Sequence, residues 1–222
     1  MRTGFWPQAT AVAGRDLLRE RRRGDVLWIT IPFGAIALLL VPLAIGTDAA
    51  LLREIGPGMY WVIVMLFGVL VAVGKASSET VPQQDASSLL GLDPAAGFVG
   101  RAASAALLLL IFEGVVGVVA VGLYDISIIG IPWLVVTLLV VAVGLGLLGT
   151  LTGSIVNSTS AGTALVPLLV APLSVPLLLG ATQGYEGLRL GHSIVSWVLL
   201  MVAVVLVVAI IGVLTARPLQ ET

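Results

Sequence analysis

An all-α, polytopic integral membrane protein is the fold class this sequence predicts, and three observations carry it. The chain has 222 residues, 59% of them hydrophobic and only 10% charged, where a soluble domain carries about 25% charged residues. Its apolar residues gather into six stretches long enough to cross a hydrocarbon core of about 30 Å as helices. No stretch alternates in the ten-residue pattern of a membrane barrel strand. Cysteine is absent, which excludes disulfides, thiol nucleophiles and thiolate metal sites.

The elements follow in order. Residues 5–24, "FWPQATAVAGRDLLRERRRG", are too polar to span and contain no apolar core of a cleavable signal peptide. At helical spacing Trp6, Ala9, Ala13 and Leu17 form one stripe, with Arg15, Arg19 and Arg22 opposite and Asp16 and Glu20 at the stripe's edge. That pattern predicts an amphipathic elbow helix in the headgroup plane, able to contact a cytosolic partner. Spans are expected at about 26–46, 58–75, 102–124, 131–153, 162–182 and 193–215, forming one membrane domain over residues 1–222. With six spans, both termini share a side with the loops after spans two and four. Nine of the eleven basic residues fall on that side, and only Arg53 and Arg189 on the other. The positive-inside rule then places both termini in the cytoplasm.

Inside the spans the ionisable residue is Glu113, in "LLLLIFEGVVGVV". A charge at that depth costs about 2.5–3.5 kcal/mol on insertion scales. The expectation is a neutral acid hydrogen-bonded to a neighbouring helix, with a substrate or proton site as the functional alternative. Span five carries Pro167, Pro172 and Pro176, each removing a backbone donor. They predict a bent or interrupted helix, a hinge or re-entrant element whose freed carbonyls face protein. Gly149 and Gly153 form a small-xxx-small pair for helix packing.

Several activities are excluded by what is missing. "GVLVAVGKA" has the wrong glycine spacing for a nucleotide loop and no Ser or Thr after Lys75. One histidine and scattered acids assemble neither a hydrolytic triad nor a metal cluster. The expectation is therefore a chain that is not an enzyme, holds no metal and binds no nucleic acid.

Two runs, "LLREIGPGMYWV" (51–62) and "APLSVPLLLGATQG" (171–184), resemble the cytochrome c maturation protein B (CcmB) family across residues 15 to 215. The resemblance implies a six-span permease subunit of a haem-trafficking ATP-binding-cassette (ABC) complex in a bacterial inner membrane. It implies as partners a CcmA-like ATPase holding ATP and Mg, CcmC- and CcmD-like membrane subunits and a CcmE-like haem chaperone. In that family the cytoplasmic loop contains an acidic Asp-Gly run, whereas here "SETVPQQDASSLLGLD" has Glu79 and Asp85 but no Asp-Gly.

A cassette permease without its own nucleotide site must present a docking element to its ATPase. The polar stretch 75–93 fits a coupling helix: Asp85 offers an N-cap, Ser87 follows, and Leu89, Leu90 and Leu92 supply an apolar face beside Glu79 and Asp85. Haem is typically held by His, Met, Cys or Tyr, and the one histidine, His192, lies outside the bilayer, so the chain itself is expected to ligate no haem. Met59, Met65 and Met201 are read as packing residues. Tyr185, Glu186, Arg189 and His192 form the expected contact with external partners. Two copies are expected in the complex, six spans being half of a typical cassette exporter. The alternatives are an exporter of lipids or hydrophobic drugs, and an ATP-independent secondary transporter.

Overall fold

A computed structural model describes residues 4–46, 48–78, 93–128, 130–158 and 165–216. Among these the chain forms α1 (Phe5–Arg23), α2 (Asp25–Ile45), α3 (Ala49–Ser78), α4 (Pro94–Tyr124), α5 (Ile131–Ser158), α6 (Leu165–Arg189) and α7 (Val195–Thr215), with no strand. The last six are long and apolar enough to cross a membrane, so the fold class and the six spans stand as expected. Glu79, Asp85, Ser87, Leu89, Leu90 and Leu92 lie outside the described residues.

Four helices exceed their expected limits because polar residues extend them, α5 among them, which runs to Ser158 rather than 153. α3 starts at Ala49 rather than near 58: Asp48 Oδ1 accepts from the Ala50 N–H at 2.9 Å, and its carbonyl accepts from Leu52 N at 2.9 Å. This capping starts the helix two turns ahead of the apolar run, and Pro57 lies within it. α4 starts at Pro94 rather than near 102, with Asp93 Oδ1 accepting from Ala95 N at 3.0 Å and proline in the first turn. At 31 residues it is about 46 Å long, so it overshoots a hydrocarbon core of about 30 Å. α6 runs on past 182 to Arg189.

The interruption expected in span five is absent. α6 is continuous. Pro167 falls in its first turn, where an N–H has no helical partner to lose. Pro172 and Pro176 are four residues apart and so remove donors from one side of the helix only. Contrary to the expectation for the freed carbonyls, Leu168 and Pro172 lie on the exposed side. Ser174, fully buried, turns its hydroxyl back to the Ala171 carbonyl at 2.8 Å.

α4 and α5 form the centre of the bundle, with α3 packed on both. Their backbones meet at Gly146, where a Cβ would lie 2.8 Å from Ala106 N and 2.9 Å from the Ala102 carbonyl. α6 and α7 pack on the other side of α5, Gly144 facing Leu177 and Val205. α2 and α7 flank the bundle and leave apolar side chains such as Phe33, Leu43, Leu199 and Leu214 exposed, as a surface meeting lipid does.

Candidate functional site

The polar chemistry collects at three levels: the end carrying α1, the bundle interior, and the end carrying the α4–α5 and α6–α7 connections.

At the first end α1 does not lie apart from the bundle. It tracks the opening turns of α4: Gln8 Oε1 accepts from Asp93 N at 2.8 Å, Ala9 and Val12 close on Gly100, and Asp16 Oδ2 is 3.5 Å from Ser104 Oγ. A Cβ at Gly100 would strike Ala9's carbonyl oxygen and Val12, so glycine permits the close approach. The expected stripe is therefore rotated. Ala9 and Val12 are buried, Ala13 and Leu17 are half-buried, and Trp6 is 70% exposed. Asp16, placed by the sequence at the stripe's edge, belongs to the protein-facing side. Arg15, Arg19 and Arg22 are exposed, as expected. α1 ends at Gly24, whose φ of 67° lets the chain turn directly into α2, while Glu20 Oε1 accepts from Leu27 N at 3.3 Å.

In the interior, Glu113 is fully buried, and neither carboxyl oxygen meets a hydrogen-bond partner among the described residues. The bond expected from a neighbouring helix is not made by the carboxyl. Tyr60 on α3 instead donates its hydroxyl to the Glu113 backbone carbonyl at 2.9 Å. The acid faces protein, and an ion held there unpaired would cost several kcal/mol; the neutral acid is the form the site accommodates.

At the opposite end, Tyr185 Oη donates to the Ser127 carbonyl at 3.1 Å, tying α6 to the α4–α5 connection. Arg189 Nη1 donates to Glu186 Oε2 at 3.1 Å. His192 is exposed in the turn after α6, its N–H bonded to the Gly187 carbonyl at 2.8 Å. These four residues thus share one end of the molecule. Arg53 joins them, bonding Asp125 through Nε at 2.9 Å and through Nη2. This pair and the Gln8–Asp93 bond were missed by the sequence reading. Asp16 at the edge of an apolar stripe was the signal that α1 had a polar protein neighbour.

Both quoted runs have a packing meaning. Along 51–62, Arg53 meets Asp125, Gly56 makes room for Tyr124, and Tyr60 reaches Glu113, so the run zips α3 to the last turns of α4. Along 171–184, Gly180 accommodates Met201 and Gly184 accommodates Trp133. Among the described residues no cluster of three His, Cys, Asp or Glu side chains has metal-binding geometry.

A bundle of six helices long and apolar enough to cross a membrane, with polar clusters at both ends and a buried acid among the described residues, is the architecture of a polytopic membrane protein. The CcmB protein family matches residues 8–218, nearly the whole of the 222-residue chain, and the chain belongs to that family. Among curated proteins it is similar to heme exporter protein B of Pseudomonas aeruginosa, with 29% identity over 170 residues, covering 73% of this chain and 74% of that protein.

Proposed function

We propose that the chain is the membrane permease subunit of a haem-trafficking ABC complex serving cytochrome c maturation, placed in a bacterial inner membrane with both termini cytoplasmic. The observation that carries this reading is the CcmB family match over residues 8–218, supported by the likeness to a heme exporter protein B. The nine-to-two split of basic residues supports the orientation.

ATP hydrolysis resides in a CcmA-like partner that grips the loop between α3 and α4 through Glu79, Asp85, Ser87, Leu89, Leu90 and Leu92. α4 begins immediately after that loop and ends beside Arg53, Asp125 and Ser127. One rigid rod therefore connects the docking loop to the external face, and displacement of its cytoplasmic end is felt at Tyr185, Glu186, Arg189 and His192. There the subunit meets CcmC- and CcmD-like membrane proteins and a CcmE-like haem chaperone. Haem is cargo handled by those partners; Met201 packs buried beneath Gly180. Pro172 and Pro176 give α6 the compliance of a hinge, and two copies complete the transporter.

The test is association with the ATPase. Reversing both charges, Glu79→Lys with Asp85→Lys, is expected to abolish co-purification of the partner ATPase from detergent extracts while the subunit still reaches the membrane. Unchanged association would remove the docking role. Substrate-stimulated ATPase activity in liposomes lacking all haem-handling partners would favour a lipid or drug exporter instead.

A further inference from the structure

We propose that the Glu113 carboxyl and the Tyr60 hydroxyl form an intramembrane site that binds a single water molecule between α3 and α4. The site is independent of the cargo and partners assigned above.

Four observations converge on it. First, Ala102, Ala106, Leu109 and Glu113 recur at spacings of four, three and four and so form one stripe of α4. That stripe meets Gly146 of α5 and Gly68 of α3, which places Glu113 on the face toward those two helices. Second, both of its carboxyl oxygens are buried and make no hydrogen bond to the described protein atoms. A buried polar group left so is disfavoured against an apolar residue of similar shape. Third, Tyr60 Oη spends its single donor on the Glu113 backbone carbonyl, at 2.9 Å, which leaves its acceptor lone pairs open. Fourth, Gly117 lies one turn beyond Glu113, and a Cβ there would sit 3.6 Å from Tyr60 Oη. The missing side chain keeps the flank of the hydroxyl clear.

A buried water needs two to four polar partners. The neutral carboxylic acid can donate to it, the water can donate in turn to Tyr60 Oη, and the second carboxyl oxygen accepts its other proton. Thr137 Oγ1, also buried without a partner, does not join this group. It lies seven residues before Gly144 and so shares the α5 face directed at Leu177 and Val205.

Infrared difference spectroscopy on the full-length chain in lipid films tests the site, taking native protein minus Glu113→Gln. The expected result is one carboxylic-acid C=O stretch at a hydrogen-bonded frequency that moves upward when the film is dried. It should move the same way in Gly117→Ala, where the added methyl group occupies the space beside Tyr60 at ordinary contact distance. A band indifferent to both drying and Gly117→Ala overturns the proposal, as does the paired absorption of an ionised carboxylate. Should Glu113→Gln fail to assemble, the same band is followed in native protein carrying ¹³C-carboxyl glutamate, and its shift or constancy on drying decides the matter.

Discussion

At Gly184 the difference between a hydrogen and a methyl group decides where Trp133 sits, because the indole occupies the volume a Cβ would need. Gly184→Val forces that ring out of a buried position, and overpacking of this kind costs about 1–3 kcal/mol. A clear fall in the unfolding temperature of the purified protein is expected, while the same substitution at Gly122, where nothing lies within 4 Å, should move it little. Tyr124 behaves differently. Its hydroxyl donates to the Leu38 carbonyl at 2.8 Å, joining α4 to α2. Tyr124→Phe keeps the ring against Gly56 but leaves the Leu38 carbonyl without a donor, because Pro42, four residues on in α2, has no N–H to give it, and a buried acceptor left unpaired costs about 1–3 kcal/mol. Thermal or denaturant unfolding in detergent should therefore show a clear loss for both Gly184→Val and Tyr124→Phe. Arg53→Ala belongs at the mild end, since its ion pair with Asp125 is exposed and exposed pairs contribute roughly 0–1 kcal/mol.

Among the elements, α1 is held by one face only. Its contacts with α4 depend on Gly100 and on the Gln8–Asp93 bond. Gly100→Leu, which drives a side chain into the Ala9 backbone, is expected to release α1 without unfolding the six spans. Limited trypsin digestion reads this directly: cleavage among Arg15, Arg19 and Arg22 should quicken severalfold in Gly100→Leu, while the helix content seen by circular dichroism stays near native. Equal cleavage rates would mean that α1 is anchored by something other than this crossing. The helices themselves were legible as runs of apolar residues, and their number followed from hydropathy. Their polar extensions were not. Hydropathy stops where lipid stops, whereas a helix stops where its caps are; Asp48 and Asp93 set those limits by bonding to backbone N–H groups outside the apolar core. The phase of α1 was misread for a related reason. An amphipathic stripe tells which face is apolar, but a contact made through Gly100 and the polar pair Asp16 and Ser104 carries almost no hydrophobic signature. The three prolines pointed to a break in α6 because each was counted alone; their register along the helix, visible only once its first residue is known, removes the interruption. Glu113 stood out as soon as span three was recognised, but Tyr60, 53 residues away in another span, acquired meaning only when α3 was laid against α4.

For the whole molecule the decisive quantity is which end would face the proposed ATPase, since every mechanical role proposed above reverses if the bundle is inverted. The absence of cysteine makes the chain a clean background for single-cysteine labelling. A cysteine at Ser87, in the α3–α4 loop, and one at His192, in the α6–α7 turn, must report from opposite sides of the membrane, because α4, α5 and α6 carry the chain across three times between them. With intact cells and a membrane-impermeant maleimide, His192→Cys is expected to label and Ser87→Cys to stay silent until the cells are opened. The reason is electrostatic: the end holding α1 and Arg101 has nine basic residues against two at the other, and such an excess is retained on the cytoplasmic side during insertion. The same measurement also tests the rod model of α4. If ATP binding by the partner displaces the docking loop, the labelling rate at His192→Cys should change when the complex is trapped with a non-hydrolysable nucleotide, because Tyr185 is bonded to the Ser127 carbonyl just beyond the far end of α4. In Tyr185→Phe that link is cut, and the nucleotide-dependent change should shrink while ATPase association persists. Labelling at Ser87→Cys in intact cells would invert the topology and end the coupling argument outright; an unaltered nucleotide response in Tyr185→Phe would leave the topology standing and move the transmission path elsewhere in the bundle.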